Sequence, residues 1–131
     1  MYLLTAYTVL LAFLSLSSKI VLDSSPAIGM ISWDMLDHAA AYSVLAVLLM
    51  FTFKRRQQQW ATSFRVLLMC GLAGVLFEYC QLWFTATRQF SYYDAGANVF
   101  GALLGVSLFW CYWTIALIRE NNQISEAKPE A

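Results

Sequence analysis

The residues that could do chemistry here fall into three spaced groups. Asp34, Asp37, His38 and Tyr42 form the first, and Asp34 and Tyr42 lie four residues either side of His38, the chain's only histidine. On a helix those three share a face, and an aspartate one turn from a histidine fixes the ring's tautomer and raises its basicity. Glu78 and Gln81 form the second group; Asp94 and Asn98 form the third, with Arg88 between the two. A guanidinium clasps a phosphate or carboxylate, amides bond neutral polar atoms, and carboxylates and imidazole accept protons.

The elements that must position these groups are apolar. The chain has 131 residues, 60% hydrophobic and 12% charged, with a mean hydropathy of +0.59. Soluble domains carry about 25% charged residues, so the composition points to a membrane protein. A spanning helix takes about 20 apolar residues, and four stretches qualify: 2–22, 35–53, 63–85 and 95–118. The expectation is an all-α, polytopic, compact four-transmembrane-helix bundle over residues 1–119. A polar cytoplasmic tail over 120–131 is expected to fray. Met1 and Tyr2 supply no basic start for a secretory signal, so the first stretch reads as an uncleaved span.

Net charge is zero and no basic face forms, which excludes nucleic acid as a partner. Cys70, Cys80 and Cys111 all fall in apolar runs without CxxC or Cys/His spacing, so they read as small apolar packers. No cofactor motif is present, and none is expected.

Ionisable residues inside spans are costly and tend to face a bundle interior or a water-filled cavity. Asp34 and Asp94 each stand near the start of a span, where a carboxylate can cap free backbone N–H groups. Gly71, Gly74, Glu78, Gln81 and Thr85 recur at steps of three and four, as do Asp94, Asn98, Gly101 and Gly105. Glycine stripes let helices approach closely, so Gly71, Gly74, Gly101 and Gly105 are expected at helix contacts. The connection from Ser18 to Trp33 contains SSPAIG, read as turns at Pro26 and Gly29 in an apolar loop along the membrane surface.

Lys54, Arg55, Arg56, Arg65, Arg119 and Lys128 flank one side of the spans, and Lys19 and Arg88 the other. Positive charge concentrates on the cytoplasmic side, giving an N-in/C-in topology. Trp33, Trp83, Tyr92 and Tyr93 would then mark the outer interface, and Trp60 and Trp113 the inner one. Helices two and four enter from outside and helix three exits there. All the polar candidates therefore gather in the outer third, as one extracytoplasmic pocket walled by packed helices.

These residues also resemble a known family. Asp34-x-x-x-His38-x-x-x-Tyr42, Glu78-x-x-Gln81, then Arg88 with Ser91-x-x-Asp94-x-x-Ala97-Asn98-x-x-Gly101-Ala102-x-x-Gly105 is similar to the VanZ-like family of bacterial membrane proteins. The likeness covers residues 34–105. One departure is Met35, where the family commonly has lysine after the first aspartate. The resemblance implies a multi-pass protein of the bacterial inner membrane, in a family whose namesake is associated with resistance to the glycopeptide teicoplanin.

The leading functional expectation is a site that binds or modifies a polar cell-envelope group, lipid-linked or peptidoglycan-derived, amid membrane lipids. Arg88 would hold its anionic part, Asn98 and Gln81 its neutral atoms, and Glu78 and His38 would accept protons. An alternative is a membrane-embedded acid/base enzyme, with His38 as base or acid, Glu78 as acid, Arg88 as clamp and Ser91 as the local nucleophile. No established catalytic signature accompanies it. A lesser variant puts a divalent ion on Asp34, Asp37, His38, Glu78 and Asp94, where oxygen-rich ligands favour magnesium, calcium or manganese. A transporter fits less well, because transport sites lie near the midplane. The remaining alternative is a structural or assembly subunit whose polar residues only tie helices together.

Overall fold

Serine hydroxyls start two of the four helices in a computed structural model of the chain, which describes residues 2–16, 26–28, 31–53, 59–84 and 91–126. The order is α1 (Tyr2–Leu16), β1 (Pro26–Ile28), β2 (Ile31–Ser32), α2 (Trp33–Phe53), α3 (Gln59–Phe84) and α4 (Tyr92–Glu126). At α2, the Met35 N–H donates to Ser32 Oγ at 3.2 Å. At α4, the Asp94 N–H donates to Ser91 Oγ at 3.2 Å, and the Ala95 N–H to the Ser91 carbonyl at 3.1 Å. The caps are thus Ser32 and Ser91, not the expected Asp34 and Asp94. Those aspartates lie inside the first turns, where a carboxylate offsets the helix dipole without capping.

Among the described residues, three helices are long and apolar enough to cross a membrane: Trp33–Phe53, Gln59–Trp83 and Tyr92–Ser125. The described part of α1 is 15 residues, about 22 Å at 1.5 Å per residue. The rest of its expected span, 17–22, lies outside the described residues. Helix α3 starts at Gln59, ahead of the expected residue 63, and α4 continues through Glu126. Residues 120–126 are therefore helical rather than frayed. At 35 residues α4 is about 52 Å long and outruns the roughly 30 Å hydrocarbon core.

The expected loop before α2 holds a short antiparallel strand pair, Pro26 opposite Ser32 and Ile28 opposite Ile31. Pro26 is strand rather than turn, at the first position, where its missing N–H is tolerated. Gly29, the other expected turn residue, lies outside the described residues.

The bundle is built around α2 and α4, which share the most extensive helix contact. They run parallel: Gly101 packs on the Ala39 backbone and, one turn on, Gly105 packs on Ser43 and Ala46. A Cβ on Gly101 would meet the Ala39 carbonyl oxygen and lie 2.8 Å from its carbon; one on Gly105 would lie 2.9 Å from Ala46 Cβ. Helix α3 runs antiparallel to both, with Gly74 against Asn98. Gly71 departs from expectation, because a Cβ there would meet nothing within 4 Å. Its spacing puts it on the glycine stripe, but no neighbouring backbone comes close at that turn. Helix α1 is pinned by Tyr7, whose hydroxyl donates to the Ala41 carbonyl at 2.8 Å.

Tyr42, Met50, Val66, Cys70 and Phe109 fill the core. Phe109 packs edge-on to Phe51 at 5.1 Å and stacks on Trp113 at 5.9 Å. Only 28–33% of each long span is buried within the protein. Phe64, Leu72, Leu76, Phe100 and Leu108 point outward, an apolar surface far beyond what a soluble monomer exposes. Lipid is the solvent that suits it, and close backbone packing with interhelical hydrogen bonds then holds the helices together.

Candidate functional site

The first turns of α2 and α4 meet the last turns of α3 at one end of the bundle, and most of the candidate residues lie there. His38 Nδ1 is 2.9 Å from Asn98 Oδ1. An amide oxygen only accepts, so with Asn98 in this orientation Nδ1 carries the proton. In the neutral ring Nε2 then bears the lone pair. That Nε2 is 4.0 Å from Asp34 Oδ1, too long for a hydrogen bond and an ion pair only when the ring is protonated. Asp94 completes a triad: one ligand atom each from Asp34, His38 and Asp94 all lie within 4.8 Å of one another.

Behind the triad is a buried polar layer. Glu78, Gln81 and Asn98 are 1%, 2% and 1% exposed, and Tyr42 is 1% exposed beside them. Glu78 Oε2 accepts the Ser91 N–H in a long bond of 3.4 Å. In a capping box that N–H goes to the side chain three residues after the cap, which here is Asp94. Glu78 takes it instead, fastening the end of α3 to the start of α4. Tyr42 lies within electrostatic range of Glu78 and Cys70. Tyr42 Oη and Asn98 Nδ2 are buried without a hydrogen-bond partner among the described residues, a condition that costs about 1–3 kcal/mol per group.

Asp37 does not join this group; its side chain is exposed on the outer side of α2. Arg88 and Thr85 lie outside the described residues. The Ser91 hydroxyl bonds the α4 backbone and, among the described residues, makes no hydrogen bond to His38. The sequence reading missed a second polar set at the opposite end, where Gln59, Thr62 and Ser63 are buried. There Ser63 Oγ receives Trp110 Nε1–H at 3.0 Å and donates to the Gln59 carbonyl at 3.0 Å. Trp60 packs on Trp110 at 4.9 Å. The run Gln59-Trp-Ala-Thr-Ser63 carried the signal, but an apolar window beginning at 63 cut it off.

The polar end therefore has an acid–imidazole triad at its rim and a carboxylate, two amides and a phenol behind it. Such an arrangement can take up a cation, accept protons and hydrogen-bond a polar ligand. A model of the family described as VanZ/LLP1 matches residues 2–117 of the chain. No curated protein and no solved structure matches it.

Proposed function

The chain belongs to the VanZ/LLP1 family, and from that premise we propose that the polar end of its bundle binds a polar headgroup of the cell envelope, lipid-linked or peptidoglycan-derived. One observation carries the reading. His38, Glu78, Gln81 and Asn98 converge from three helices into one nearly buried cluster beside half-buried Asp34 and Asp94. Polar groups so placed in a membrane helix bundle are expensive unless they serve structure or a ligand.

In this reading the protein crosses the bacterial inner membrane several times with both termini in the cytoplasm. Six basic residues on one side against two on the other support that orientation, and it puts the polar end outside. Arg88 clasps a phosphate or carboxylate bidentately, Gln81 and Asn98 bond neutral atoms, and Glu78 and His38 accept protons. With Met35 where the family commonly has lysine, Arg88 is the cationic clamp. An effect on teicoplanin follows if the bound headgroup lies on the route the drug attacks.

The test is rescue of a deletion strain, under teicoplanin challenge, by His38→Ala, Glu78→Gln and Arg88→Ala at matched expression. Each is expected to lose rescue. If all three rescue as well as the native chain, the reading is wrong. The bond from Ser91 to Glu78 favours a second reading, in which the cluster is only a helix tie. Thermal unfolding separates the two: a tie predicts that Glu78→Gln unfolds early, whereas a binding site predicts a folded protein without function.

A further inference from the structure

We propose that the polar end of the bundle encloses a bound water molecule, held by Tyr42 Oη, Asn98 Nδ2 and the Glu78 carboxylate where α2, α3 and α4 meet. Two groups from two helices call for it. Tyr42 Oη and Asn98 Nδ2 are each buried without a hydrogen-bond partner among the described residues. Both side chains are 1% exposed, and the two groups do not bond each other.

They face the same strip of α3. Asn98 Nδ2 lies against Gly74, where an added Cβ would be 3.0 Å from it. Tyr42 is within electrostatic range of Cys70 and Glu78, which stand one turn either side of Gly74 on one helical face. Rotating the Asn98 amide offers no relief. Its oxygen is 2.9 Å from His38 Nδ1, so turning the amide over only replaces an orphaned N–H donor with an orphaned oxygen in the same place.

Leaving both groups dry is costly, and lipid around the bundle supplies no hydrogen bonds to relieve them. An enclosed water typically makes about three hydrogen bonds to such groups. Here Asn98 Nδ2 donates to the water oxygen, the water donates one proton to Glu78, and Tyr42 Oη makes the third bond as donor or acceptor. Glu78 holds the Ser91 N–H through Oε2, and a carboxylate has lone pairs for more than one donor.

Depth and enclosure favour water over an atom of a bound headgroup. Tyr42 is nine residues beyond the start of α2, and Asn98 six beyond the start of α4. Those distances are about 13 Å and 9 Å along the helices. At 1% exposure neither group is open to a bulky ligand. The water solvates Glu78 at a depth where lipid would not, whether or not the headgroup reading holds.

The test is hydroxyl-radical footprinting of the full chain in detergent, stripped of copurified lipid, by brief X-ray radiolysis and mass spectrometry. Radicals formed from an enclosed water label the side chain beside it. Tyr42 is expected to label about threefold or more above Phe109, an aromatic side chain equally buried in the apolar core. Thermal unfolding of Tyr42→Phe is the second measurement. Loss of a hydroxyl that bonds water lowers the unfolding temperature, whereas loss of one that bonds nothing raises it. A smaller excess of labelling at Tyr42, or Tyr42→Phe unfolding at the same or a higher temperature, overturns the proposal. So does labelling of Tyr42 that appears only while lipid is retained, which would make the occupant a lipid oxygen. Headgroup binding lost with Tyr42 labelling intact would count against the headgroup reading alone.

Discussion

His38 is held by Asn98, and Asn98 is held in turn by a missing side chain. A Cβ on Gly74 would come within 3.0 Å of both Asn98 Cβ and Asn98 Nδ2, so Gly74→Ala pushes the amide off the imidazole. We expect that change to impair function as Asn98→Ala does. Asn98→Ala itself should cost about 1 kcal/mol, the usual scale of an interhelical hydrogen bond in a membrane; thermal unfolding in detergent checks both variants. The caps give a second comparison. Ser91→Ala should cost about 1 kcal/mol, while Asp94→Asn should stay within about 0.5 kcal/mol. Equal losses would restore Asp94 as the cap. At this scale the sequence was half readable. The Asp34–His38–Tyr42 face follows from spacing, but the partner of His38 does not, because periodicity gives a face and not what meets it. The caps were misassigned because serine and aspartate cap equally well and each pair lies within three residues.

The packed elements turn on which glycines meet a backbone. Gly101 stands against the Ala39 carbonyl, where Gly101→Ala must part α2 from α4; overpacking of this kind costs about 1–3 kcal/mol, and we expect the upper end. Gly71→Ala meets open space and should be neutral or stabilising by up to about 1 kcal/mol, since alanine is the better helix former. Unfolding of the two variants side by side checks this, and a Gly71→Ala as damaging as Gly101→Ala would contradict the packing described. Sequence spacing could not separate these glycines, because all four lie on small-residue stripes and only the helix crossing decides where backbones touch. The order of the four helices was legible from their apolar runs. Their ends were not, because hydropathy marks the stretch that lipid covers while helices continue past it, as α3 does at Gln59 and α4 through Glu126.

For the whole molecule, the parallel pair α2 and α4 with antiparallel α3 brings the polar residues to one end, and the basic residues argue that this end faces outward. Single cysteines in a cysteine-free background test the sidedness: Tyr93→Cys should react with an impermeant maleimide in intact cells, and Ser125→Cys only after lysis. The reverse pattern would turn the site toward the cytoplasm and remove envelope headgroups as its ligand. The most direct measurement is mass spectrometry of the native chain and His38→Gln released from bacterial membranes. The native protein should carry an anionic envelope lipid enriched over the bulk membrane, and the variant should carry much less. Equal carriage by both, or none above bulk by the native chain, would contradict the claim that this cluster binds a headgroup.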